Sequence, residues 1–140
     1  MPVEPVVLAI DPGRGKCGLA VVYRSGQVAE QCIVPRSELP AAVQEVAGRF
    51  PLRALVLGDR TGCKDARRDL GPLVTCPIVL VEEHETTLRA RDRYYRENPP
   101  RGLKRFAPRG MLTPPRPLDD YAAVLLAERF WQAHASEGQV

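Results

Sequence analysis

The chain has 140 residues, 44% of them hydrophobic and 26% charged, with a formal net charge of +3, as is typical of a globular protein with one core. No apolar stretch approaches the roughly 20 residues of a membrane span, and the N-terminal segment, with Glu4 and no basic cluster, is unlike a secretion signal. We therefore expect a single domain over residues 1–140, located in the cytoplasm and without membrane contact.

Apolar periodicity and turn residues predict the order of elements. In chain order these are strands over 5–11, 17–24 and 27–34, a helix over 38–50 with Ser37 as N-cap, a strand over 53–59, a short helix over 64–72, a strand over 76–83, a helix from Thr86 or Thr87 to about Glu97, a proline-rich basic loop over 98–117 and a last helix over 118–133. This order is that of an α/β domain with an RNase H-like fold. An antiparallel β1-β2-β3 meander is then extended by parallel strands into a five-stranded mixed sheet, with helices on both faces.

The first strand ends in an aspartate followed by a glycine-rich turn. Asp11 directly follows the apolar run VVLAI, and Gly13, Gly15 and Gly18 come within the next seven residues. A carboxylate at the end of a buried strand is costly unless a cation or hydrogen-bond donors meet it, and glycines allow a close approach. The ordinary alternative is that Asp-Pro-Gly only forms a turn.

Two more acidic pairs lie at the ends of predicted elements, where they can reach the same boundary of the sheet as Asp11. Glu82 and Glu83 end the fifth strand, and Asp119 and Asp120 open the last helix. Acids gathered at one edge repel each other unless a divalent cation lies between them, and carboxylate oxygens suit Mg²⁺ or Mn²⁺. Taken singly, each has an ordinary alternative, a solvated strand end for the glutamates or a helix N-cap for the aspartates. Together with Asp11 they predict a metal site.

Basic residues are concentrated in one part of the chain. Nine lysines and arginines lie between Arg89 and Arg116, opposed only by Asp92 and Glu97. This basic strip, residues 89–116, favours a polyanionic partner such as nucleic acid, although a solvated helix face is the ordinary alternative. The four cysteines and two histidines have no spacing typical of zinc ligands, so we expect reduced thiols and no zinc site.

Three segments resemble, in order, the motifs of the RuvC-like nucleases of the YqgF (RuvX) type. LAIDPGRGKCGLAVV is similar to the first motif, VEEHETT to the second, and LDDYAAVLLAERF to the final helix. The resemblance spans residues 5 to about 130. His84 departs from it, since the family often has an arginine there. The family is associated with processing of ribosomal RNA precursors, its relatives resolve Holliday junctions, and such proteins are often dimers.

The resemblance implies a metal-dependent nuclease with two Mg²⁺ or Mn²⁺ ions. It makes Asp11 the ligand that bridges both ions. Glu83 matches the second acid, with Glu82 as a close alternative, and Asp119 matches the third, with Asp120 one step away.

Cationic and aromatic residues are the expected nucleic-acid contacts. Lys16 falls where members carry a residue that meets a backbone phosphate, and Arg14 lies in the same turn. In the proline-rich loop, the candidates for phosphates and for stacking on a base are Arg101, Lys104, Arg105, Phe106 and Arg109. The ordinary alternative for this stretch is a surface loop with one anchoring aromatic residue.

Two other functions compete with the nuclease. The domain can be a catalytically silent factor that binds nucleic acid through the basic strip alone, although binding needs none of the acids. The second competing function is that of an actin-like ATP-handling protein, since that class begins with a similar first motif. The 140 residues are too few for the two lobes of such a protein. The sequence leaves open RNA or DNA as substrate, endo- or exonuclease action, and the oligomeric state.

Overall fold

The computed structural model describes residues 4–60, 62–82, 86–99, 102 and 117–134. Five strands and four α-helices are formed, with short 3-10 turns at Arg36–Glu38 and Gly71–Leu73. The strands are β1 (Val6–Asp11), β2 (Lys16–Tyr23), β3 (Val28–Pro35), β4 (Leu52–Gly58) and β5 (Ile78–Val81). The helices are α1 (Leu39–Arg49), α2 (Cys63–Leu70), α3 (Thr86–Glu97) and α4 (Asp119–Ala133).

The strands form one mixed sheet in the order β3-β2-β1-β4-β5. β2 is antiparallel to both β1 and β3, whereas β4 is parallel to β1 and β5 is parallel to β4. A tight turn joins β2 to β3, and Gly26 supplies its positive φ of 95°. The meander extended by parallel strands that the sequence predicts is thus confirmed.

Helices cover both faces of the sheet because β1 and β4, at its centre, are apolar on both sides. On one face, alternate residues of β1 such as Leu8 and Ile10 pack with α1 and α2. On the other face, Val7 and Ala9 pack with α4. α3 packs on α4 through a smaller cluster that includes Ala90. Among the helices that the structure describes, none is both long and apolar enough to cross a bilayer.

Three local expectations are corrected. Ser37 does not cap α1, because it lies inside the preceding 3-10 turn, and the N-cap position falls on Glu38 with no side-chain cap. β5 is shorter than 76–83 and begins only after Pro77, which has no N–H for the sheet, although its carbonyl accepts a hydrogen bond from the Leu55 N–H. Capping of α4 by an aspartate is excluded as well, since its N-cap is Leu118.

Candidate active site

Three parallel strands have their carboxyl-terminal ends on the same side of the sheet, and we call this boundary the rim. β1 ends there at Asp11, β4 ends at Gly58, and β5 ends at Val81, which pairs with Gly58. Because neighbouring strands lie about 4.8 Å apart, Asp11 and the end of β5 are separated by about 10 Å along the rim. The acids after β1 and β5 therefore emerge on the same side of the sheet, with β4 between them.

α4 reaches this rim by lying directly on a glycine of β2. Gly18 pairs with Asp11 across the sheet. A Cβ atom at position 18 would come within 1.9 Å of the Asp119 carbonyl oxygen and 2.7 Å of the Asp120 nitrogen. Only glycine allows this approach, so it brings Asp119 beside the end of β1. The close approach expected at the glycines is made here by the chain itself.

One carboxylate oxygen of Asp119 is left without a hydrogen bond. Its Oδ2 atom is shielded from solvent and accepts none from the described part of the chain, although the side chain as a whole is 31% exposed. The Lys16 ammonium lies 3.5 Å from this oxygen, which is an ionic contact rather than a hydrogen bond. Such an oxygen is costly unless a cation meets it, and it is a hard ligand of the kind that Mg²⁺ and Mn²⁺ prefer. The chemistry of Asp119 therefore fits a divalent cation.

Asp11 and Asp119 both act on the buried Cys17 thiol. Burial raises the pKa of this thiol, while a backbone hydrogen bond from Gly13 and the Arg36 guanidinium lower it. The carboxylates of Asp11 and Asp119 both raise this pKa further. Asp11 and Asp119 thus lie close enough to act on the same thiol, as expected of acids at one rim.

Asp120 has different surroundings from its neighbour. Its side chain is 4% exposed, and its Oδ2 atom accepts a hydrogen bond of 2.9 Å from the Gln31 amide of β3. This contact joins the start of α4 to the edge strand and satisfies the buried carboxylate. Of the adjacent aspartates, Asp119 has an oxygen without a hydrogen bond in the described part of the chain, whereas Asp120 is engaged in holding the helix.

The remaining predicted site residues are only partly described. The Glu82 side chain is exposed, and its backbone carbonyl accepts a hydrogen bond from Arg129. Arg14 is exposed in the turn after β1. Within the described ranges, no group of three or more acidic, histidine or cysteine side chains is arranged to hold a metal. The predicted residues that lie outside those ranges are Glu83, Arg101, Lys104, Arg105, Phe106 and Arg109.

Two residues at or near the rim were not singled out from the sequence. Asp59 follows β4 as Asp11 follows β1, is exposed, and donates its backbone N–H to the Val81 carbonyl at 3.1 Å. An acid at the end of an apolar strand is the signal that identified Asp11, and it applies to Asp59 as well. Gln31 gives no such signal, because its partner lies 89 positions away.

Comparison with known proteins identifies the fold. No protein-family model matches the chain, and no curated protein matches it by sequence. The RuvC structure from Thermus thermophilus is similar, with a TM-score of 0.61 and 19% identity over 94% of this chain and 97% of that one. T. thermophilus RuvC in complex with a Holliday junction substrate gives a TM-score of 0.58 and 19% identity, covering 94% and 96% of the two chains. The chain therefore has the RNase H-like fold of RuvC, as the sequence predicts.

Proposed function

We propose that this chain is a metal-dependent nuclease that hydrolyses phosphodiester bonds of structured nucleic acid. The observation that carries the proposal is the Asp119 Oδ2 atom, which is buried without a hydrogen bond beside the end of β1. The fold supports it, because RuvC, a protein of the same fold, has been captured on a Holliday junction. A buried carboxylate oxygen without a donor serves a metal site better than it serves a stable fold.

Three acids would hold the metal, in one role each. Asp11 at the end of β1 would be the central ligand. Glu83 after β5 would be the second acid, with Glu82 as its alternative, and Asp119 at the start of α4 the third. Two Mg²⁺ or Mn²⁺ ions in such a site supply activation of a water and stabilisation of the leaving oxygen. Asp120 is not a ligand in this proposal, because Gln31 already engages it.

Lys16 would bind the substrate rather than the metal. Its side chain is half exposed, and its ammonium lies 3.5 Å from Asp119, so it is held at the rim beside the acids. A cation in that position can meet a phosphate next to the scissile bond. Arg14 in the same turn and the basic strip of residues 89–116 would neutralise further phosphates.

The substrate can be a ribosomal RNA precursor, a four-way DNA junction or another structured nucleic acid. A junction has two strands to be cut symmetrically, so resolution would require a homodimer that presents two sites. The competing function is a silent nucleic-acid-binding factor. It is favoured by the cationic surface of α3, where Arg89 and Arg96 are exposed, but it gives no role to the acids at the rim.

A cleavage panel tests the proposal. Structured RNA, single-stranded DNA, duplex DNA and a four-way junction are each incubated with the protein in Mg²⁺, Mn²⁺ or EDTA. We expect cutting of at least one substrate that requires metal and is lost in Asp119→Asn. Binding without cutting of any substrate would favour the silent factor instead.

A further inference from the structure

α2 begins beside the candidate active site. It follows β4, whose last residue Gly58 lies at the rim. Gly62, the N-cap of α2, has a φ of +93°, and a Cβ atom there would be 3.9 Å from the Pro12 side chain. The start of α2 is therefore packed against the turn that follows Asp11.

The charges of α2 are separated onto two sides of the helix. Its buried side contains Cys63, Ala66 and Leu70. At about 3.6 residues per turn, Lys64 and Arg67 fall together on one flank. The acids of α2 fall on the other flank.

The acids of α2 are already paired. Asp65 contacts Arg68 at 3.4 Å, and Asp69 contacts both Arg68 at 3.4 Å and Arg36 at 2.8 Å. The Arg36 hydrogen bond is the main cause that lowers the pKa of Asp69, as expected of a carboxylate held in an ion pair. These pairs neutralise one flank and leave the charges of the other uncompensated.

Three exposed cations face the solvent next to the rim. Lys64 and Arg67 on α2 and Arg14 in the turn after β1 make no ion pair within the part of the chain that the structure describes. α2 and α4 cover opposite faces of the sheet. α3, which carries the first arginines of the basic strip, packs on α4. Cationic surfaces thus flank the rim from both faces of the sheet.

We propose that Arg14, Lys64 and Arg67 form a second phosphate-binding track. It would hold the backbone of the nucleic acid on the α2 side of the rim, while the exposed cations of α3, Arg89 and Arg96, hold it on the other side. The ligand is the phosphodiester backbone itself, which RNA and DNA share. This inference rests on the proposed function only in taking nucleic acid as the partner.

Two adjacent arginines allow a matched test. Arg67→Ala and Arg68→Ala remove the same side chain from the same helix and change the net charge equally, but only Arg67 belongs to the track. Binding of a fluorescent duplex RNA and a duplex DNA is measured by anisotropy in EDTA, in an Asp11→Asn background, between about 50 and 200 mM salt. We expect Arg67→Ala to weaken binding by about 3- to 10-fold and to reduce the salt slope by about 0.9, with Arg68→Ala unchanged within about twofold.

Lys64→Ala provides an independent second variant, and circular dichroism confirms the fold of each protein. A loss with one duplex only supports the track and identifies the polymer it binds. Equal affinities of Arg67→Ala and Arg68→Ala for both duplexes would overturn it. Because no cleavage is measured, the track can fail while the nuclease stands, and the nuclease can fail while the track stands.

Discussion

The backbone of Asp119 rests on Gly18, so closely that a Cβ atom at position 18 would lie 1.9 Å from the Asp119 carbonyl oxygen. Gly18 is also the residue that pairs with Asp11 across the antiparallel β1–β2 ladder. A single glycine therefore has the two candidate metal ligands as neighbours, one through the sheet and one through the helix packed on it. The relative positions of Asp11 and Asp119 depend on this contact.

Replacing Gly18 by alanine is expected to displace the start of α4. The added methyl group meets backbone atoms, which cannot rotate away as a side chain can, so we expect a loss of about 3 kcal/mol in the free energy of unfolding, the upper end of the usual range for overpacking. Cleavage should fall with it. Urea denaturation of Gly18→Ala measures the effect, and Gly15→Ala is the control, because a Cβ atom there meets nothing within 4 Å. Equal stability of the two variants would contradict the proposed packing.

The two aspartates of α4 are expected to respond differently to the same substitution. Asp119→Asn should lower cleavage by more than about 100-fold, since the loss of a second-shell partner alone can cost 10- to 100-fold. Its stability should change by less than about 1 kcal/mol, because the ion pair it makes with Lys16 is partly exposed. Asp120→Asn keeps an oxygen for the Gln31 amide and should remain active. Cleavage rates and thermal unfolding of both proteins test this, and the reverse order of activities would make Asp120 the ligand.

Gln31 is expected to stabilise the start of α4 through Asp120. In Gln31→Met the buried carboxylate loses its 2.9 Å hydrogen bond, and we expect a loss of about 1–3 kcal/mol in stability. A double-mutant cycle with Asp120→Ala, which removes the acceptor, separates this contact from the general effect of each change. Gln44→Met, at an exposed position of α1, is the control and should be close to neutral. Additive effects of the Gln31 and Asp120 changes would show that the contact contributes nothing.

One surface ion pair should make a small, pH-dependent contribution to stability. Arg49 donates two hydrogen bonds of 2.7 Å to Glu30, and these lower the pKa of Glu30 from its ordinary value of 4.5. A lowered pKa in the folded state means that the contribution is present above pH 4.5 and is lost as the pH falls through the lowered pKa. Glu30→Gln should thus have a slightly lower urea midpoint near neutral pH, with the difference disappearing in acid and in high salt. A difference that persists in acid would point to another cause.

The fold was predictable because its signals are local. Short apolar runs marked the strands, and the terminal Gly58 and the turn at Gly26 marked where two of them end. The errors arose where local chemistry competes with the pattern. Pro77 cannot donate to the sheet and delays β5, and the 3-10 turn before α1 takes up Ser37, which was expected to be the cap.

The sequence proposes the acids of the candidate site but does not contain their arrangement. Asp11 and the pair Asp119–Asp120 follow from their places at element ends. Which of the two aspartates is open to a ligand depends on how α4 is rotated, and that rotation is set by contacts with Gly18 and Gln31, which are remote in sequence. No single-sequence pattern contains such contacts.

The most direct test of the nuclease is the metal dependence of cleavage in wild type and Asp11→Asn, measured on the substrate that the wild type cuts best. We expect cutting by the wild type in Mg²⁺ or Mn²⁺ and none in EDTA. Asp11→Asn should cut more than about 100-fold more slowly while keeping the wild-type fold and affinity for the same nucleic acid. Undiminished cleavage by Asp11→Asn, or cleavage that continues in EDTA, would contradict a metal-dependent nuclease in which Asp11 holds the metal.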